Sequence, residues 1–336
     1  MRAWQTVKPG RPRDALQLNQ NAKPPQLRSG TVLLDVIAAG IGLQDVFMCQ
    51  GTYHLTPPTL PFTQGQEVIG RIVGVGDGVL GRQLGDRVMA VTSFFTGDGG
   101  YAEQCLGLDD FCLPVPDGMT DAEAAGFLIP FHTAYIALVT RGKVQAGETL
   151  LVIGGAGGTG QAAMQIGKAL GARVIATAGG PEKAEFCRTL GADHVVDYRA
   201  EDIAEGVKAA TEGRGADAIY DPVGGDAFAS AMQCVAHEGR ILAIGFASGS
   251  WGKSDTSHMV YNNYSVVGVI PSQYDRAFKL RTQEQLLDWW KQGKLRPRVD
   301  ELVPFEALPD ALERLVAGGV KGKLVLAVDP KATAPV

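Results

Sequence analysis

Residues 155–160 read Gly-Ala-Gly-Gly-Thr-Gly, which places glycine at the first, third and sixth positions of a G-x-G-x-x-G turn. The turn follows the apolar run TLLVI (149–153) and opens the helical pattern QAAMQIGKAL (161–170), and a second run, RVIATA (173–178), comes just after it. Strand, glycine turn and helix in this order are how a dinucleotide-binding unit begins. Glycine lets the backbone approach a pyrophosphate, and the free N–H groups and dipole at the helix start hold the anion. The alternative is a plain tight turn in an α/β domain. Gly155, Ala156, Gly157, Gly158, Thr159 and Gly160 are thus the candidate pyrophosphate contacts.

An Asp or Glu at the end of the second strand would bind the adenosine ribose 2′-hydroxyl and repel a 2′-phosphate. This chain has Thr177-Ala178-Gly179-Gly180 there, with Lys183 at the start of the next helix. Tyr198 and Arg199 stand at the end of the third run, which lies close by in such sheets. An acid-free, cationic pocket around Gly179, Lys183, Tyr198 and Arg199 suits NADPH over NADH. Glu182 is the counter-argument, met if it points to solvent. Lys183 has the competing reading of an ordinary solvated helix residue.

These residues need a parallel sheet to place them. From about 120 to 270, helical stretches alternate with the runs TLLVIG, RVIATA, HVVDY, DAIYD, GRILAIG and YSVVGVI. Six strands alternating with helices predict a doubly wound sheet of two mononucleotide-binding halves. The first 120 residues read as β-rich, with runs such as TVLLDVIAAG and EVIGRIVGVG broken by glycine, proline and aspartate. After 270 come an amphipathic helix (TQEQLLDWWKQGKL), a strand-like RVDELVPF, a helix (PDALERLVAG) and a last strand (KLVLAV). The order predicts one domain built from both ends of the chain, with the α/β domain inserted. The tail DPKATAPV is expected to fray. The run AAGFLIPFHTAYIALV (124–139) is read as a buried helix, too short for a comfortable bilayer span and interrupted by Pro130 and His132.

A chain of 336 residues with formal net charge −5 carries no basic footprint for nucleic acid. The N-terminal stretch has no apolar signal core. Its five cysteines form no close pairs, so neither disulfides nor a thiolate zinc site is expected, and a reducing cytoplasm is the natural setting.

GQEVIGRIVGVG (65–76), GDRV (85–88), GGYAEQ (99–104), LPVPDG (113–118) and VQAGETLLVIGGAGGTG (144–160) are followed by LGADHVVDY (190–198), YDPVGG (220–225) and GKLVL (322–326). In this order and spacing they resemble the medium-chain dehydrogenase/reductase superfamily, specifically its zinc-free quinone oxidoreductase branch, nearly end to end. The resemblance implies a Rossmann doubly wound parallel sheet (122–270) inserted into a β-rich GroES-like catalytic domain (1–121, completed by 271–336). It further implies a cofactor in the cleft between domains and a homodimer or tetramer, with YSVVGVI (264–270) as the candidate pairing edge.

Metal-dependent relatives carry His where this chain has Gln66, and a cysteine ligand near residues 40–45, where it has Gly42. The cysteine-rich structural-zinc loop is replaced by VTSFFTGDGGYAEQ, and the five histidines are scattered. Zinc needs three or four converging ligands, so no metal is expected. Without a Lewis acid, hydride transfer is expected to an already electron-poor, hydrophobic acceptor such as a quinone or an α,β-unsaturated carbonyl compound.

QGTY (50–53) resembles the segment of zinc-free enoyl reductases whose tyrosine is the proposed proton donor, so Tyr53 either protonates an enolate or simply lines the cleft. Relatives often carry Asn where this chain has Gly42; Gln44, Gln64 and Gln66 are the candidate substitute donors. Asp45 is expected to cap or brace its helix. Val223 in DPVGGD, Gly245 and Phe246 in GFASG, and Thr133 in HTAY are candidate cofactor contacts. Their alternatives are an ordinary turn, a mobile loop and core packing. Lys321 and Lys323 reach a phosphate or are solvated. Besides the NADPH-dependent reductase, two readings stay open: an enoyl thioester reductase using Tyr53, and a non-catalytic NADPH-binding structural or regulatory protein.

Overall fold

Short apolar runs punctuated by glycine and proline become strands in a computed structural model that describes residues 1–57 and 59–334. In chain order the strands are β1 (Ala3–Thr6), β2 (Leu16–Asn19), β3 (Thr31–Ile41), β4 (Glu67–Val75), β5 (Arg87–Thr92), β6 (Gln104–Pro114) and β7 (Thr149–Val152). They continue as β8 (Arg173–Ala178), β9 (His194–Asp197), β10 (Ala216–Asp221), β11 (Val235–Ala243), β12 (Ser265–Gly268), β13 (Val299–Pro304) and β14 (Lys323–Ala327). The first helices are α1 (Pro12–Ala15), α2 (Leu43–Gln50), α3 (Asp121–Ala125), α4 (Leu128–Tyr135), α5 (Gly158–Ala169) and α6 (Pro181–Thr189). The rest are α7 (Ile203–Ala210), α8 (Gly225–Cys234), α9 (Thr256–Asn262), α10 (Arg276–Lys291) and α11 (Leu308–Val316).

The chain separates into two units: Met1–Ile129 with Asp275–Gln283 and the residues from Pro297 on, and Pro130–Tyr274 with Glu284–Arg296. The second is the predicted doubly wound sheet, all parallel, in the order β12-β11-β10-β7-β8-β9. Helices cover both faces of such a sheet, so β7 is buried along its whole length. Its core gathers Leu151, Ile153, Ile175, Val196, Ile219, Phe228 and Ile241. The strand order turns back between β7 and β10, which is the switch point where open sheets take ligands.

In the first unit the sheet order is β13-β14-β3-β4-β5-β6, and the long β3 also pairs with β6, which curls the sheet onto itself. Leu34, Val36, Ile41, Val68, Ile72, Leu324 and Leu326 fill its interior.

Four expectations are corrected. The division falls at 129/130 rather than 121/122, because the carboxylate of Glu67 on β4 accepts a hydrogen bond from the Ile129 N–H at 2.9 Å and holds this segment to the first unit. Residues 284–296 belong to the second unit, where the Gln165 side chain exchanges hydrogen bonds with the Arg296 backbone (3.0 and 2.7 Å). The tail is pinned by Thr333, whose N–H and hydroxyl both donate to Asp121 at 2.9 and 2.8 Å; residues 335–336 lie outside the described residues. The run 124–139 is also interrupted: α3 ends before Gly126, and α4 passes into a π-turn, Ile136–Arg141.

Candidate functional site

The glycine turn leaves β7 and enters α5 through residues packed too closely for side chains. A β-carbon at Gly160 would overlap the Gly154 carbonyl oxygen and lie 2.9 Å from the Gly154 carbonyl carbon. One at Gly155 would lie 2.9 Å from the Ala176 β-carbon and 3.1 Å from the Cys187 sulfur. Gly154 itself has φ +66°, a conformation glycine adopts without strain. Thr177, buried near the end of β8, fixes the turn: its hydroxyl accepts from the Gly154 N–H (3.0 Å) and its carbonyl from the Gly155 N–H (2.9 Å). Gly157 is the exposed N-cap residue of α5 and Ala156 is buried beneath the turn. The N–H groups of Gly158, Thr159 and Gly160 stand in the first turn, where a helix leaves its donors without intrahelical partners.

At the end of β8 the structure brings Gly179, Gly180, Tyr198 and Arg199 side by side. The Tyr198 ring lies over Gly179, where a β-carbon would fall 2.7 Å from its Cζ, and a β-carbon at Gly180 would stand 3.4 Å from Nη1 of Arg199. Tyr198 and Arg199 are exposed, and Lys183 is half-buried in the first turn of α6. Glu182 faces solvent. The acid in this corner, Asp197, was not picked out from the sequence. Its carboxylate accepts from the backbone N–H groups of Gly180 (2.9 Å) and Arg199 (3.0 Å), tying the two strand ends together. Those two bonds hold it below the ordinary carboxylate range.

On the other side of the switch point, Asp221 closes β10. It accepts from the N–H groups of Val223 (2.8 Å) and Gly224 (3.0 Å), while burial pushes its carboxyl upward. Val223 lies against the glycine turn, 3.4 Å from where a β-carbon of Gly154 would stand. The GFASG segment is a tied loop rather than a mobile one. Ala247 and Ser248 donate to the carbonyls of Pro222 (3.0 Å) and Val223 (2.9 Å), and Gly245 sits 3.1 Å from Pro222 by the same β-carbon measure. Phe246 stacks on Trp251, ring centroids 4.7 Å apart. Thr133 is buried on α4, in the same unit.

In the first unit, Tyr53 packs half-buried on Met48, Phe62 and Phe94. Burial pushes its phenol up, and a hydrogen bond with Gln66 opposes that rise. The structure thus brings Tyr53 and Gln66 together. Gln44 folds back over Gly42, where a β-carbon would meet its Cδ at 2.5 Å, so its amide fills the room a side chain at 42 would take. Gln64 is not a free donor as expected: wholly buried, it gives its amide to the Asp45 carbonyl (3.1 Å) and the Cys49 sulfur (3.2 Å). Asp45 braces α2, accepting from the Gly42 N–H and the Tyr101 hydroxyl, both at 2.8 Å. Burial, opposed chiefly by the Tyr101 bond, leaves its carboxyl pushed up to about 6.

Lys323 is the clearest correction. Expected at a cofactor phosphate, it is buried in an ion pair with Glu67. The side chain is 7 % exposed and its partner carboxylate 1 % exposed, so its charge is met inside the first unit rather than offered to solvent. Lys321, by contrast, remains half-buried nearby in sequence. Among the described residues no three His, Cys, Asp or Glu side chains converge as a metal site, and no helix is long and apolar enough to cross a membrane.

Comparison with known proteins adds to this geometry. Residues 28–117 match the alcohol dehydrogenase GroES-like domain family, and residues 158–289 match the zinc-binding dehydrogenase family. The quinone oxidoreductase-like protein 2 homolog of Nematostella vectensis is 32 % identical over 89 % of this chain and 82 % of its own length. Human quinone oxidoreductase is 30 % identical over 97 % of both chains. The crystal structure of Escherichia coli quinone oxidoreductase complexed with NADPH superposes with a TM-score of 0.89 at 26 % identity, covering 97 % of this chain and 100 % of the other.

Proposed function

The chain belongs to the medium-chain dehydrogenase/reductase superfamily, in its quinone oxidoreductase branch, and from that premise we propose an NADPH-dependent oxidoreductase that passes hydride, without zinc, to a quinone or another α,β-unsaturated carbonyl compound. NADPH fits the residues present. The glycine turn has no room for side chains at 155 and 160, and the end of β8 offers Tyr198 and Arg199, with Asp197 bonded into the backbone and Glu182 facing solvent. Gly155–Gly160 would cradle the pyrophosphate, Lys183, Tyr198 and Arg199 the 2′-phosphate, and Val223, Gly245 and Phe246 the nicotinamide half. Bound NADPH supplies the hydride.

The observation that supports the acceptor class is the packing of Tyr53 and Gln66 against the same side chain, Met48. Gln66 stands where metal-dependent relatives carry a histidine ligand. Tyr53 is a phenol protonated at neutral pH, and burial pushes it further in that direction. Such a phenol donates a hydrogen bond to a carbonyl oxygen as negative charge gathers there, then gives up its proton to the enolate or quinolate. This assists acceptors that already delocalise charge and leaves a simple ketone poorly activated.

We further propose a homodimer joined along β12. That strand is an edge of its sheet, and Val260, Tyr261 and Ile270 beside it in sequence are 71 %, 84 % and 48 % exposed. A reducing cytoplasmic setting is supported by the five buried, unpaired cysteines.

The test follows deuterium from 4-deuterated NADPH, labelled on each C4 face in turn, in metal-free buffer with a quinone, an enone and an enoyl thioester. Deuterium on a β-carbon of the enone, or cofactor oxidation with quinone reduced to quinol, is the expected result. Transfer to the thioester alone would replace the reading with an enoyl thioester reductase. Tight NADPH binding with no acceptor reduced would replace it with a binding protein.

A further inference from the structure

The loop after β11 carries a feature that cofactor binding does not use. Trp251 is 54 % exposed, a costly way to leave an indole unless something covers it. Its exposure does not come from a slack loop. The N–H groups of Ala247 and Ser248 are bonded to the β10 loop. Gly224, at φ +70°, lies so close to the Ser250 carbonyl that a β-carbon would overlap it. On the far side of Trp251, a β-carbon at Gly252 would run into the Phe228 ring, whose Cβ is 2.7 Å away. The backbone on both sides of Trp251 is therefore closely packed, and its indole lies against the Phe246 ring at a tilt of 35°.

Its place follows from the sheet. The pyrophosphate turn comes after β7 and the 2′-phosphate corner lies at β8, so the reactive half of a dinucleotide extends the other way, over β10 and β11. Phe246 stands three residues beyond Ala243, where β11 ends, and the Trp251 ring packs against it.

We propose that Phe246 and Trp251 form an aromatic wall of the acceptor site, and that Trp251 makes the enzyme prefer flat, ring-sized quinones over acyclic enones. This rests on the reductase reading above. A quinone ring can lie offset on the exposed indole face, whereas an acyclic enone covers little of it.

The experiment compares wild type, Trp251→Ala and Trp251→Phe with a naphthoquinone and an acyclic enone. NADPH affinity is read separately from dihydronicotinamide fluorescence. Trp251→Ala is expected to raise KM for the naphthoquinone roughly five- to tenfold, the worth of one aromatic stack. KM for the enone and the Kd for NADPH should stay within about twofold, and Trp251→Phe should recover most of the loss. Binding is also read without turnover. Naphthoquinone should quench wild-type emission saturably, and the saturable part should be missing in Trp251→Phe. Equal KM changes for both acceptors, purely collisional quenching, or a smaller assembly size for Trp251→Ala on gel filtration would each overturn the wall. Wild type that reduces neither acceptor would instead overturn the reductase reading, and the wall with it.

Discussion

Replacing Lys323 by Met tests the strongest electrostatic statement in the first unit. Glu67 is 1 % exposed; one carboxylate oxygen is paired with Lys323 and the other accepts the Ile129 N–H at 2.9 Å. Lys323→Met keeps the volume and the apolar stem but leaves a buried carboxylate with a single backbone donor. Breaking a buried pair from one side costs about 3–5 kcal/mol. The double variant Glu67→Gln with Lys323→Met should regain most of the loss at pH 7. Urea-dependent labelling of the buried thiols Cys49, Cys105 and Cys112, resolved by mass spectrometry, reports opening of this unit alone. Lys323→Met within about 1 kcal/mol of wild type at pH 7, or a double variant no more stable than Lys323→Met alone, would refute the buried-pair reasoning. A large loss of NADPH affinity with unit stability intact would restore Lys323 to the cofactor.

Arg199→Gln should weaken NADPH about tenfold and leave NADH within twofold, read by fluorescence titration; equal effects on both would place Arg199 away from the 2′-phosphate. Tyr53→Phe should lower kcat by about a hundredfold for an enone with little change in KM; an unaltered kcat would leave the residue only a lining role. Asp45 has its carboxyl raised to about 6 from the ordinary 3.8, so the folded chain holds this proton more tightly than the unfolded chain does. Its contribution is present below pH 4 and lost as pH rises through 6, roughly 3 kcal/mol in all. In Asp45→Asn that part of the pH dependence should disappear from denaturant midpoints taken between pH 4 and 7; an unchanged slope would contradict the assignment.

The glycine turn and the six parallel strands were legible because their signals are local. Gly155 to Gly160 are contiguous, and a strand buried on both faces shows as an unbroken apolar run such as TLLVI. Tyr198 and Arg199 were reachable because β8 and β9 are neighbours in the predicted sheet. Lys323 was not, since its partner Glu67 is remote in sequence and a lysine near a strand end looks solvated wherever its partner is unknown. Gln64 failed for a related reason: an amide reveals nothing of its acceptors until the Asp45 carbonyl and Cys49 sulfur are placed. Asp197 escaped because its partners are backbone N–H groups, to which residue type gives no clue. The amphipathic pattern of α10 announced a buried face without saying which core buries it, so its second half was assigned to the wrong unit.

The interior position of β14, between β13 and β3, sets an order on assembly during synthesis. All six strands of the parallel sheet lie within residues 149–268, so that unit has its strands before residue 323 has left the ribosome. The curled sheet has β3 to β6 much earlier, yet the edge of β3 stays open and Glu67 stays without its cation until β14 arrives. At about 5–20 residues per second, roughly ten to forty seconds separate β6 from β14. For that interval the nascent chain carries an unpaired strand edge beside an uncompensated acid, which is where a chaperone or a mispairing strand would find it.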